Sequence, residues 1–136
     1  MRSAVGTTEA GNPPGSPVGV LIVDDHTGFR SAARGVVEAT AGFALLGEAS
    51  CGEEALELAA AVDPNLIILD VRMPGIGGVE TARRLHALRP AAAIVLVSTE
   101  DYGKGPFRIA SCGAAAFLRK EAFGPAALRA LWDEHG

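Results

Sequence analysis

Three short apolar runs constrain this chain most: Val18-Gly-Val-Leu-Ile-Val, Leu66-Ile-Ile-Leu and Ile94-Val-Leu-Val. Each has the length of a strand, and none alternates with polar residues. A strand with one face in water carries a polar side chain at every second position. Runs without that alternation fit strands buried on both faces of a parallel sheet. Phe43-Ala-Leu-Leu-Gly-Glu-Ala and Ala114-Ala-Ala-Phe-Leu read as two further strands.

Helical stretches separate the runs. Phe29, Ala33, Val36 and Val37 share one face of a helix over residues 27–39. Residues 53–62 are rich in Ala, Leu and Glu, which favour helix. Val79, Ala82, Leu85 and Leu88 form another apolar stripe, and Pro90 closes that helix. A short helix is expected over 106–112, entered through Gly103 and Gly105 and ended by Gly113, and a last one over 125–134 with Pro near its first turn. Five strand–helix alternations predict an α/β sandwich of three layers around a five-stranded parallel sheet. Right-handed crossovers then place helices on both faces.

A length of 136 residues suits one domain. Residues 1–17 lack periodicity and read as a disordered lead-in to a domain spanning 18–136. Twelve basic against sixteen acidic residues give a net charge of −4 with no Lys/Arg cluster, which argues against nucleic acid as a partner. No apolar run reaches the length of a membrane span, and residues 1–18 hold no signal-peptide core, so a cytoplasmic location is expected. Cys51 and Cys112 stand far apart, without metal-ligand spacing, and read as reduced thiols.

In a parallel α/β sheet, ligands gather beyond the carboxyl ends of the strands. The first run here ends in Asp24-Asp25, the third strand in Asp70, the fourth in Ser98, and the fifth runs into Lys120. Three carboxylates crowded together repel one another, and a divalent cation relieves them. Oxygen ligands beside a phosphate suit Mg²⁺. With its charge neutralised, Asp70 can attack a phosphoryl group and form an aspartyl phosphate. The cation, Lys120 and the Ser98 hydroxyl would then share the charge on the three equatorial oxygens.

Val20-Leu-Ile-Val-Asp-Asp-His, Leu69-Asp-Val-Arg-Met-Pro-Gly, Val95-Leu-Val-Ser-Thr and Gly113-Ala-Ala-Ala-Phe-Leu-Arg-Lys together resemble the receiver domains of bacterial two-component response regulators. The resemblance covers 18 to about 134, and it implies the flavodoxin-like strand order 2-1-3-4-5. It implies Asp70 as phospho-acceptor, Asp25 as a direct Mg²⁺ ligand, Asp24 as one acting through water, and the Arg72 main-chain carbonyl as a further ligand. Ser98 becomes the switch hydroxyl, Phe117 the switch aromatic and Lys120 the phosphate-pairing lysine. Asp-Asp-His-x-x-Phe-Arg points to receivers of helix-turn-helix transcription factors, read here without the output domain. The implied function is a phosphorylation switch rather than a turnover enzyme. Its implied partners are a sensor histidine kinase and a downstream protein or a second copy of the chain. The implied output face is the fourth helix, fifth strand and fifth helix.

Three departures stand out. Gly77-Gly78 replaces an acidic-Gly pair and is expected to loosen its loop; Thr99 narrows the approach to the phosphate; Tyr102-Gly-Lys-Gly-Pro makes the fourth helix short or irregular. Arg72 and Glu100 occupy positions that tune phosphate lifetime in the family.

Each site residue also has a plainer reading. Asp24 and Asp25 could cap the first helix, Asp70 could be a turn residue, Ser98 a helix cap and Lys120 a solvated strand end. Phe117 is core on any reading. His26 reads as an exposed loop residue rather than a ligand, because no second His or Cys accompanies it. The rival function is a receiver-fold module that docks or dimerises without phosphate. An aspartate-nucleophile phosphatase or flavin carrier fits poorly, for lack of an Asp-x-Asp motif after a strand and of a Gly/Ser/Thr-rich phosphate loop.

Overall fold

A computed structural model describes residues 16–100 and 112–136. Most of the lead-in, the helix expected over 106–112 apart from Cys112, and the Tyr102-to-Pro106 stretch therefore lie outside the described residues. The rest follows the alternation: β1 (Val18–Val23), α1 (Thr27–Ala39), β2 (Phe43–Ala49), α2 (Gly52–Ala61), β3 (Leu66–Asp70), α3 (Gly77–Leu88), β4 (Ala93–Ser98), β5 (Ala116–Arg119) and α4 (Pro125–His135). A 3-10 turn, Lys120–Ala122, follows β5. Two expected segments shift slightly. The final strand starts at Ala116 instead of Ala114, and α2 starts at Gly52.

The five strands form one parallel sheet in the order β2-β1-β3-β4-β5, which is the expected 2-1-3-4-5. From Gly19 onward in β1, and throughout β3 and β4, residues are buried at both parities, as their unbroken apolar runs require. Leu21, Val23, Ile67, Leu69, Ile94 and Leu96 pack on one face with Ala55 and Ala59 of α2 and Ala82 and Leu85 of α3. Val20, Ile22, Leu66, Ile68, Val95 and Val97 pack on the other with Ala33 and Val37 of α1 and Leu128 of α4. Each such Leu or Ile side chain contributes about 1.5–3 kcal/mol by leaving water.

Local chemistry closes the elements. The Thr40 hydroxyl donates to the Val36 carbonyl at 2.6 Å where α1 ends. Arg89, just beyond α3, donates to the carbonyls of Ala59 (2.8 Å) and Val62 (3.2 Å), binding the last turn of α2 to α3. Such a cation also meets the negative end of the α2 dipole. In β2, Leu46 is skipped between the pairs Val20–Leu45 and Leu21–Gly47, and this bulge leaves its side chain exposed.

The turn from β3 into α3 places Asp70. Gly75 and Gly77 both have φ near +80°, where a side chain strains the backbone. Gly78 is tight for another reason. Its N–H donates to the Val71 carbonyl at 3.1 Å. A Cβ there would meet the Asp70 carbonyl, with the Val71 carbonyl at 2.5 Å and its Cα at 2.6 Å. Main chain fills the space at Gly78, which leaves no room for a side chain there. Gly78→Ala is expected to destabilise the fold by about 1–3 kcal/mol or more, because main chain rather than a side-chain tip must move. Urea unfolding of the variant measures this, and an unchanged midpoint would contradict it.

Candidate functional site

Because all five strands are parallel, their carboxyl ends share one edge, and the predicted residues meet there. The Asp24 N–H extends the ladder beyond β1 by donating to the Ala49 carbonyl at 3.0 Å. Its carboxylate is fully buried, and Oδ1 accepts the His26 main-chain N–H at 2.8 Å. That bond is a side-chain-closed turn, and it swings the chain from β1 into α1. Neither Asp24 nor Asp25 caps α1; the cap position is His26, with no side-chain bond to the helix. Asp25 stays about one-third exposed.

Asp70 ends β3 with 2% of its surface exposed. Its Oδ1 accepts the Arg72 N–H at 3.3 Å. Lys120, in the 3-10 turn after β5, is far from a solvated lysine. Its side chain is 10% exposed, with Nζ 2.6 Å from Asp24 Oδ2 and 3.5 Å from Asp70 Oδ2. Phe29 lies beneath it, with the ammonium 4.9 Å from the ring centroid, and Phe123 packs on Phe29 at 6.0 Å. An aromatic face attracts a cation without consuming its donors.

Ser98 ends β4, buried, and its Oγ accepts the Glu100 N–H at 3.1 Å. Its neighbour Val97 pairs with Asp70, so the hydroxyl and the acceptor sit on adjacent strand ends. Outside the pocket, the Arg72 guanidinium meets Glu100 at 3.3 Å, both exposed. Phe117 pairs with Leu96 in the sheet and packs, half-buried, on the α2/α3 face of the core. The chain thus brings together Asp24, Asp25, Asp70 and Lys120, with Ser98 beside them and Phe117 half-buried against the core.

Two participants escaped the sequence reading. His26 is exposed, as expected, but it is no isolated loop residue: Nδ1 lies 3.0 Å from Asp24, 3.2 Å from Asp25 and 3.8 Å from Asp70. Its place directly after the Asp pair was the available signal. Phe29 read only as part of a helix stripe, and nothing local marks it as the platform for Lys120.

Electrostatics follow from burial. Desolvation, reinforced by the Asp24 charge, pushes the Asp70 carboxyl up to about 6, against the pull of Lys120. Asp24 Oδ2 and Asp70 Oδ2 are buried without a hydrogen bond and meet Lys120 only as ion pairs. One ligand atom from each of Asp24, Asp25, His26 and Asp70 falls within a span of 4.8 Å. Buried, under-satisfied carboxylate oxygens converging in this way fit a divalent cation.

Comparison with known proteins agrees with this geometry. The profile of the response regulator receiver domain matches residues 20–132. The chain is 37% identical over 103 residues to the response regulator GacA of Pseudomonas aeruginosa, an alignment covering 76% of this chain and 48% of GacA. The chain spans about half the length of the curated relatives it matches. Among solved structures, the signal receiver domain of a NarL response regulator from Mycobacterium tuberculosis superposes with TM-score 0.79 at 30% identity, covering 88% of this chain and 97% of that one. A chain of the complex between a CheA3 domain and CheY6 from R. sphaeroides superposes with TM-score 0.75 at 28% identity, covering 89% and 98%. Among the described residues, no helix is long and apolar enough to cross a membrane.

Proposed function

The chain belongs to the response regulator receiver domain family of two-component systems, and from that premise we propose that it is a phosphorylation switch whose acceptor is Asp70. One observation carries the reading: a buried carboxylate at the end of β3 faces the Lys120 ammonium at 3.5 Å, beside Asp24 and Asp25. An isolated buried carboxylate is expensive, and a protein keeps one where its chemistry is used.

Asp25, Asp24, Asp70 and the Arg72 main-chain carbonyl would hold the cation, Mg²⁺ by the family resemblance. When bound, it neutralises the carboxylates and draws charge from the phosphoryl oxygens. An Asp70 oxygen attacks phosphorus in line; the O–P bond forms as the P–N bond to the phosphorylated kinase histidine breaks, and that nitrogen leaves with the electron pair. Lys120, already steadied by Phe29, pairs with the oxygen charge that develops. Ser98 Oγ accepts from the Glu100 N–H, which leaves its own O–H to donate to a phosphoryl oxygen. The phosphate charge thereby pulls on β4 and β5, biasing the face of β5 and α4 (the fifth helix of the sequence reading), with Phe117 following.

The chain in this reading accepts one phosphoryl group and loses it slowly, without turning over a substrate. A sensor histidine kinase is the donor, which the likeness to a receiver in the CheA3–CheY6 complex supports. A downstream protein or a second copy is the reader, and the cytoplasm is the place.

Incubation with a small phosphodonor and Mg²⁺ tests this. Wild type gains the mass of one phosphoryl group, and Asp70→Ala gains none. An equal gain in both, or none in wild type, would sink the reading and leave the phosphate-independent docking module.

A further inference from the structure

We propose that His26 is a ligand of the cation pocket, and that its imidazole gives the pocket a preference for later transition ions such as Ni²⁺ over Mg²⁺. The inference rests on the reading that Asp24, Asp25 and Asp70 bind a divalent cation. It adds a fourth side chain and a selectivity that carboxylates alone do not give.

Three observations carry it. The ring sits at the mouth of the carboxylate cluster, with Nδ1 within 3.0–3.8 Å of oxygens from all three aspartates. Ligands of one ion, with bonds of about 2.0–2.3 Å, stand at most about 4–4.6 Å apart. The four candidate ligand atoms here already lie within 4.8 Å of one another, so only a small contraction is needed. Two of the converging oxygens, Asp24 Oδ2 and Asp70 Oδ2, are buried without a hydrogen bond. Both meet the Lys120 ammonium as ion pairs, at 2.6 and 3.5 Å, so among the described residues three carboxylates share one fixed cationic group.

The ring is also held at its root. The His26 N–H is bonded to Asp24 Oδ1 at 2.8 Å, so the turn that carries the chain into α1 also aims the imidazole. To bind a cation, Nδ1 would have to offer its lone pair, with the ring proton on Nε2, and its contact with Asp24 at 3.0 Å would give way to the ion. Oxygen-only sites treat hard ions such as Mg²⁺ well. An imidazole nitrogen adds little for Mg²⁺ and progressively more along the series from Mn²⁺ to Ni²⁺.

The test uses the unphosphorylated full chain and single metals. Calorimetric titration should show Ni²⁺ binding weakened roughly tenfold or more in His26→Ala, since even an outer partner of a metal site is worth about that factor. Mg²⁺ affinity should change little. With one equivalent of Mn²⁺, pulsed electron paramagnetic resonance of wild type should show directly bound ¹⁴N, and His26→Ala should lose it. That spectrum is read on the intact protein and needs no variant to fold. Absence of the nitrogen signal, or an equal loss of Ni²⁺ and Mg²⁺ affinity, would overturn the role of His26 and leave phosphoryl acceptance by Asp70 untouched. Failure of every ion to bind would overturn both the ligand and the cation pocket.

Discussion

Asp70→Asn is expected to stabilise the cation-free protein near neutral pH, and the gain is expected to vanish below about pH 4. The folded state holds the Asp70 proton to about 6, against an ordinary 3.8 for the unfolded chain. Between those values the native state binds more protons than the unfolded one, so stability falls as pH rises through the window. Above it, the carboxylate is charged in both states and the folded state carries the full penalty of burial beside Asp24. A rise from 3.8 to about 6 corresponds to about 3 kcal/mol. The amide removes that penalty while keeping the shape. Urea unfolding in chelator at about pH 7.5 and again near pH 4 reads the effect. A variant no more stable than wild type at the higher pH, or equally favoured at both, would contradict it. Divalent cation should narrow the gap, because it stabilises only the charged form.

Lys120→Met has the opposite sign. Its ammonium is the one cationic side chain within 4 Å of both Asp24 and Asp70 among the described residues other than His26, which depends on protonation. Methionine preserves most of the aliphatic stem on Phe29 and deletes the charge. Two buried carboxylates then lose their counter-ion, and breaking a buried pair from one side costs about 3–5 kcal/mol. The measurement is again urea unfolding in chelator, and a loss below about 1 kcal/mol would show that the pocket does not depend on this lysine. Adding Asp70→Asn to Lys120→Met should recover part of the loss, since the two groups share one pocket and their effects do not add.

Much of this was legible in the sequence because the apolar runs of β1, β3 and β4 allow no solvated face. Their ends, Asp24, Asp70 and Ser98, could then be named before any coordinate. The start of β5 was not legible. Ala114 and Ala115 look like Ala116, and only pairing with β4, which begins at Val95–Ala116, decides which residues join the ladder. Gly52 likewise looked like a residue before a helix, yet it opens α2 in a space walled by Thr81 and Ile76. His26 and Phe29 were missed for a related reason. Asp70 and Lys120, which complete their surroundings, arrive from segments distant in sequence, so only the Asp pair beside His26 was a local signal.

The skipped Leu46 bears on how copies of this protein avoid one another. β2 lies at the rim of the sheet, where unpaired main-chain groups invite a foreign strand and, with repetition, fibrous aggregates. An extra residue breaks the even spacing such a visitor would need. An irregularity of one residue thus disfavours strand-to-strand pairing along this rim.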